Sequence, residues 1–380
     1  MRRLLALVSA VVFVDAMLFT ALTPLVPGYA DEFDLSKTGA GLLVGSFGAG
    51  ALLGGIPGGI VAARFGPKVA VVGGLLVLAV ASFGFAAADS AITLGTARFV
   101  QGFSSTTTWA GALAWVTVAA PLSKRGEVIG TAFGAAVFGA VVGPMFGGVA
   151  ESVGIRISFA TLGVVALAFA GLAWLARSSA AEPLTPGGVS RAFRDLRFLG
   201  GLWLNTLPAL LFGTLVVLAP LDLDDAGWSS LAIGAVFFGA GLLEVAISPL
   251  LGRASDRRGR LLPIRAALAA SIVVACLFAA AAKPVLIALL VAAAALSYGG
   301  FYTPGMALTS HRAESAGLAQ GLAFGVMNSA WALGNVTGPV AGGALASAFG
   351  DAVPYLLGAA LCALTLVATQ RVAGGRMRTA

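Results

Sequence analysis

Charged residues are scarce. Asp, Glu, Lys and Arg make up 10% of the 380 positions, against about 25% in a soluble domain, so most of the chain cannot face water. Histidine occurs once, as His311, and cysteine twice, as Cys276 and Cys362. These supply neither a metal-spaced cluster nor a disulfide framework, and both cysteines read as packing residues. No G-x4-G-K-[ST] run is present, which excludes ATP-driven pumping by this chain. The connections between apolar runs are too short for a soluble catalytic or ligand-binding domain. Neither an enzyme nor a bound cofactor is expected.

What is abundant is apolar surface and glycine: 59% hydrophobic residues and 52 glycines. A bilayer span needs roughly 20 apolar residues. Twelve runs of that kind fall at about 4–24, 40–62, 69–88, 91–119, 128–150, 157–176, 200–221, 229–251, 263–282, 286–310, 317–346 and 354–371. In lipid only internally hydrogen-bonded helices satisfy the backbone over such lengths. The expected fold is an all-α membrane protein of twelve helices in two pseudo-symmetric six-helix bundles. The bundles are 1–176 and 200–380, joined by a cytoplasmic linker at 177–199 that holds the longest polar stretch. The run Arg191 to Arg197 fits either a short amphipathic helix on the membrane surface or a solvated linker.

The net charge of +7 does not point to nucleic acid, because its distribution is one-sided. Of 23 Lys and Arg residues, only Lys37, Arg156 and Lys283 fall in the loops opposite the termini, and Arg98 lies inside a span. The positive-inside rule therefore puts both termini in the cytoplasm, with the protein in the inner membrane. The first 28 residues mimic a signal peptide. Asp15 interrupts the run and eleven spans follow, so an uncleaved first helix is expected.

The most informative pattern is a duplication. Gly130, Gly139, Gly143-Pro144 and Gly147-Gly148 read G-x8-G-x3-G-P-x2-G-G, and so do Gly325, Gly334, Gly338-Pro339 and Gly342-Gly343, 195 residues on. A second frame, G-x4-R-x-G, occurs as Gly59, Arg64 and Gly66 and again, 193 residues later, as Gly252, Arg257 and Gly259. It reads as a tight basic turn between helices, where glycine tolerates positive φ. A duplicated membrane half points to a transporter that rocks two bundles about a central site.

These motifs resemble the major facilitator superfamily over essentially the whole chain. Gly252 to Arg260, with Asp256, Arg257, Gly259 and Arg260, matches its G-x-x-x-D-R-x-G-R loop signature. Arg98-Phe99-Val100-Gln101-Gly102 resembles its fourth-helix signature, and Gly130 to Gly148 the fifth-helix signature of proton-coupled drug antiporters. The opening from Phe13 to Pro27 is similar to the first helix of vesicular amine transporters and their bacterial efflux relatives. The sequence departs from the family at Ala63, where the first loop copy lacks its acid, at Pro67, and at Asn328, where an acid is expected in the eleventh span. The resemblance implies that the two glycine helices meet across the halves and govern closure. It also implies a monomer.

Three charges lie well inside spans: Asp15, Arg98 and Glu244. A mid-bilayer charge is unfavourable by about 2.5–3.5 kcal/mol on lenient scales, so such groups face a partner or a wet cavity. Asp15 and Arg98 lie about 15 and 12 Å from the outer ends of their helices, at depths compatible with pairing. Asp15 is the candidate proton-coupling and cation-binding acid, with Arg98 tuning it; a static pair is the bland alternative. Glu244 is either a second proton site, a cargo contact or a protonated structural residue. Cargo-cavity candidates are Gln101, Thr107, Trp109, Asn205, Tyr298, Tyr302, Asn328, Trp331 and Asn335, since aromatic faces attract cations. Interfacial anchoring and helix–helix hydrogen bonding are the alternatives for the Trp and Asn residues. The expected function is proton-coupled export of small lipophilic, cationic compounds. Export of a sugar, amino acid or other metabolite is the second reading, because fold does not set cargo. A non-transporting sensor is the third. The expected partners are cargo, protons and the lipid bilayer.

Overall fold

Apolar runs become helices in this chain because each is long and nearly free of charge. The computed structural model describes the backbone of residues 2–121, 125–177, 189–258, 261–315 and 320–377, and within these the side chains outside 125–126, 189–191, 248–258, 302–304, 306–308, 310–315, 320–324 and 371–377. Its elements are α1 (Arg2–Thr20), a 3-10 turn (Thr23–Leu25), α2 (Val26–Glu32), α3 (Lys37–Phe65), α4 (Pro67–Ala86), α5 (Ala91–Ala119), α6 (Arg125–Val153) and α7 (Ile155–Leu175). After the linker come α8 (Val189–Arg194), α9 (Leu196–Asp225), α10 (Ser230–Arg258), α11 (Leu261–Ala280), α12 (Pro284–Ser315), α13 (Gln320–Phe349) and α14 (Ala352–Met377). No strand occurs among the described residues. Twelve of these helices are long, and ten segments are long and apolar enough to cross a membrane. Helices α5 and α13 fall outside that set; α5 carries Arg98, Gln101 and a run of Ser and Thr, while α13 carries Gln320, Asn328 and Asn335.

Two local features differ from the sequence reading. The first span is not one helix: α1 stops at Thr20 and the chain passes through a 3-10 turn into α2. Pro24 and Pro27 lack the N–H groups that would continue the ladder. The basic turn between α3 and α4 contracts to the single residue Gly66, at φ 93°. In the second copy, α10 runs on to Arg258, so Gly252, Asp256 and Arg257 lie on a helix. Their side chains, with Gly259 and Arg260, lie outside the described residues. Helix α8 covers part of the linker, and Asp195 caps α9 by accepting from the Arg197 N–H at 2.8 Å.

Packing sorts the helices. Helix α1 lies on α6, α4 between α5 and α7, α9 between α12 and α13, and α11 between α12 and α14. Two large contacts join the first seven helices to the last six, α3 against α13 and α6 against α10, with smaller ones from α2 and α3 to α9 and from α5 to α13. These two seams frame the site. The end of the bundle away from both termini is called distal below.

Candidate functional site

Asp15 sits on α1, 3% exposed, and turns toward α5. Its Oδ2 accepts from Ser105 Oγ at 2.6 Å and from Trp109 Nε1 at 2.9 Å. Oδ1 has no hydrogen-bond partner among the described residues. Ser105 and Trp109 are four apart, so one face of α5 delivers both donors. The indole packs beside Phe133 of α6, with centroids 5.4 Å apart. The carboxylate is thus recessed among three helices and held by neutral donors.

Arg98 does not form the expected ion pair with Asp15. Instead its Nη1 donates to Leu18 O at 3.1 Å and to Gln101 Oε1 at 3.2 Å, while Nη2 donates to Phe19 O at 3.0 Å. The reason is the break after Thr20: the last carbonyls of a helix lack backbone partners and carry partial negative charge. Arg98 caps the broken end, one turn beyond Asp15. Its guanidinium also stacks over Phe47 at 4.8 Å. Phe47 contacts Phe19 at 4.8 Å, and Phe19 meets Trp331 of α13 edge-on at 5.2 Å. An aromatic string therefore runs from Arg98 across to the second half. Gln101 is spent on Arg98 and is fully buried.

The remaining candidates scatter. Thr107 packs on Gly58 of α3 and bonds its own helix at Phe103 O. Asn205 is buried between α9 and α12, donating to Gly201 O at 2.8 Å and to Thr309 Oγ1 at 3.3 Å, which is the helix-joining alternative. Tyr298 is buried against Phe212. Glu244 reaches from α10 to α12, where its carboxylate fills the space a side chain at Gly299 would need. Asn335 donates to Trp331 O on its own helix, at the α3/α13 seam. Asn328 is exposed, and the side chain of Tyr302, like His311, lies outside the described residues. Cys362 is buried and Cys276 exposed, both as free thiols.

The glycine ridges do not meet each other. Gly139, Gly143 and Gly147 lie against α1 at Phe13, Met17, Thr20 and Ala21, and Gly334, Gly338 and Gly342 lie against α9 at Thr206, Leu210 and Thr214. Each ridge packs inside its own half. Contact across the halves falls to the neighbouring positions. A methyl group at Gly234 of α10 would meet Pro144 O at 2.5 Å, and one at Gly148 would meet Ser230 O at 2.7 Å. In the other seam, a methyl group at Gly41 of α3 would overlap Pro339 O, and one at Gly343 would overlap Lys37 O. Built methyl groups at Gly59, Gly130 and Gly325 meet nothing within 4 Å, so close packing is not what these positions need. The proline-carbonyl crossings are distal, and the α3/α13 seam continues inward through Gly45 and Gly48.

Several residues at the site escaped the sequence reading. Ser105 carried no charge or motif to single it out. Helix α3 holds nine glycines, a signal that was visible in its composition. Gly41, Gly45 and Gly48 face α13, while Gly50, Gly54 and Gly58 face α5. Lys37 Nζ donates to both oxygens of Asp351 at 2.6 Å and lies 4.0 Å from Asp222. Beside it, Thr38 N and Oγ1 reach Ser347 Oγ at 3.1 and 3.0 Å.

Known proteins place this geometry. The family model described as Major Facilitator Superfamily matches residues 8–322 and 202–373. Multidrug resistance protein 1 of Bacillus subtilis is 25% identical over 331 residues, 85% of this chain and 84% of that protein. The MFS-type transporter ppzB of Metarhizium rileyi is 29% identical over 168 residues; the match spans 43% of this chain and 35% of ppzB. A crystal structure of a bacterial homologue of the human lysosomal transporter Spinster, in an inward-facing and occupied conformation, superposes with a TM-score of 0.78. It is 16% identical, with 97% of each chain covered.

Proposed function

The chain belongs to the major facilitator superfamily, and from that premise we propose that it exports small lipophilic cations in exchange for protons. It is a multi-pass membrane transporter and not an enzyme. The observation that carries the cargo and coupling reading is the environment of Asp15. Its contacts at Oδ2 come from an uncharged hydroxyl and an uncharged indole, and Arg98 is engaged by the end of α1. A charge so recessed is costly alone, and it is relieved by one proton or one cation at a time. Exclusive occupancy is the requirement of antiport.

Other features support the reading. Trp109 and Phe133 offer aromatic faces beside the carboxylate, suited to a lipophilic cation. The multidrug resistance name of the Bacillus relative agrees with such a cargo. The charge asymmetry supports an inner-membrane location with cytoplasmic termini, which makes the distal end the outer face. On this reading the working unit is a monomer of two bundles, 1–176 and 200–380, joined by the linker 177–199, with protons as coupling ion and no cofactor.

The test is proton release from purified protein on adding a panel of lipophilic cations and neutral drugs. Wild type is expected to release protons with cations, and Asp15→Asn to lose the signal by at least about tenfold, an energetic difference of about 1.4 kcal/mol. Full release from Asp15→Asn would sink the assignment. Loss only in Glu244→Gln would move the exchange site to α10. Silence with every compound would favour a metabolite carrier.

A further inference from the structure

The two seams that close the distal face are built on the same backbone plan but carry different side-chain fastenings. The duplication offsets align them residue by residue. Lys37 and Gly41 of α3 correspond, 193 positions on, to Ser230 and Gly234 of α10. Pro339, Gly343, Ser347 and Asp351 correspond, 195 positions back, to Pro144, Gly148, Ser152 and Arg156. The glycine–carbonyl crossings are present at both seams. The ion pair is not: Ser230 stands for Lys37 and Arg156 for Asp351. Among the described residues, no side-chain hydrogen bond or ion pair crosses the distal end of the α6/α10 seam.

Charge on the α6 side is not paired across the seam: Arg156 forms no ion pair among the described residues. Asp224 at the end of α9 lies within electrostatic range of Asp31 on α2 and Glu151 on α6, both in the other half. On the α3 side, Lys37 contacts Asp351 and approaches Asp222, and Thr38 adds two bonds to Ser347. One edge of the distal face is therefore fastened by an ion pair and the other is not.

We propose that Lys37, with Asp351 and Asp222, is a one-sided latch, so that the distal face parts first along α6/α10 and last along α3/α13. The halves then open as a jaw with its hinge at the latched edge, rather than separating evenly. This sequence of motion follows from the charges at the rim and is independent of the cargo or of proton coupling. The latch is partly exposed, with side-chain exposures of 30% for Lys37 and 38% for Asp351, so its contribution is that of a modest pair.

The experiment is a spin-label distance measurement on the full chain in nanodiscs, with Cys276 and Cys362 replaced by Ala. One label pair, Val153 with Leu231, reports the α6/α10 edge, and a second, Leu42 with Phe349, the α3/α13 edge; all four side chains are exposed. In otherwise unaltered protein the separated component is expected to be larger for the first pair. Lys37→Met should raise the separated component of the second pair about threefold, the scale of one partly exposed ion pair, and erase the difference. Lys37→Arg should keep it. Asp351→Asn removes the same contact from the other side, and serves if Lys37→Met does not fold. Equal components in the unaltered protein, or a difference that survives both Lys37→Met and Asp351→Asn, would overturn the latch.

Discussion

The α3/α13 and α6/α10 seams are two copies of one closure with different fastenings. In both, a proline carbonyl and the glycine one residue beyond the last ridge glycine meet a glycine of the opposing helix. Only the first adds Lys37, Thr38, Ser347 and Asp351. The comparison separates two jobs that are easily merged. Backbone approach sets where the halves meet, and it demands small residues at fixed spacing. Side-chain charge sets how firmly each edge holds, and it needs no repetition.

The largest effect expected from breaking that comparison comes from filling the crossings. Gly41→Leu and Gly234→Leu each place a side chain into a proline carbonyl. Overpacking of this kind is unfavourable by about 1–3 kcal/mol. Transport in proteoliposomes should fall by roughly tenfold or more in both variants, and to a similar extent. A loss in one alone would show that the seams are not equivalent in packing.

A smaller effect should come from grafting the latch. Ser230→Lys combined with Arg156→Asp writes the α3/α13 charges onto α6/α10. The distal face should hold more tightly, slowing turnover by about two- to fivefold. Each single change should lack this effect. Faster turnover in the double variant would contradict the role assigned to the ion pair. The smallest effect belongs to Gly130→Ala and Gly325→Ala, where an added methyl group meets open space. Both should transport within about twofold of wild type, as surface changes away from special features do. A large loss would mean that these positions close against something in another state of the cycle.

Much of this architecture was legible in the sequence because it is encoded locally. Helix length and apolarity gave all twelve long elements, and glycine spacing gave the ridges. The end of α1 was misjudged: the first span was read to about residue 24, whereas the helix stops at Thr20, ahead of Pro24 and Pro27. The partners of Asp15 were not legible for a different reason. Depth along a helix follows from counting residues, but direction around the axis depends on how helices cross. Arg98 lay at a suitable depth and was drawn elsewhere by the carbonyls of Leu18 and Phe19. Lys37 and Asp351 are 314 positions apart, and only the crossing of α3 with α13 brings them together. Asn205 and Tyr298 are polar groups in apolar spans, and each is buried within its own half, Asn205 donating from Nδ2 to Gly201 and Thr309 and Tyr298 packing on Phe212.

The near absence of side chains in the crossings bears on the wear of repeated work. A glycine that closes against a carbonyl has no rotamers to lose, whereas an ordered lysine forfeits up to about 2 kcal/mol of rotamer freedom. Gly41, Gly148, Gly234 and Gly343 can therefore meet and part each cycle with no side chain to re-sort. Lys37 is the one long side chain among the described polar contacts of the rim, beside the short Thr38 and Ser347, so re-ordering on closure falls mostly on it.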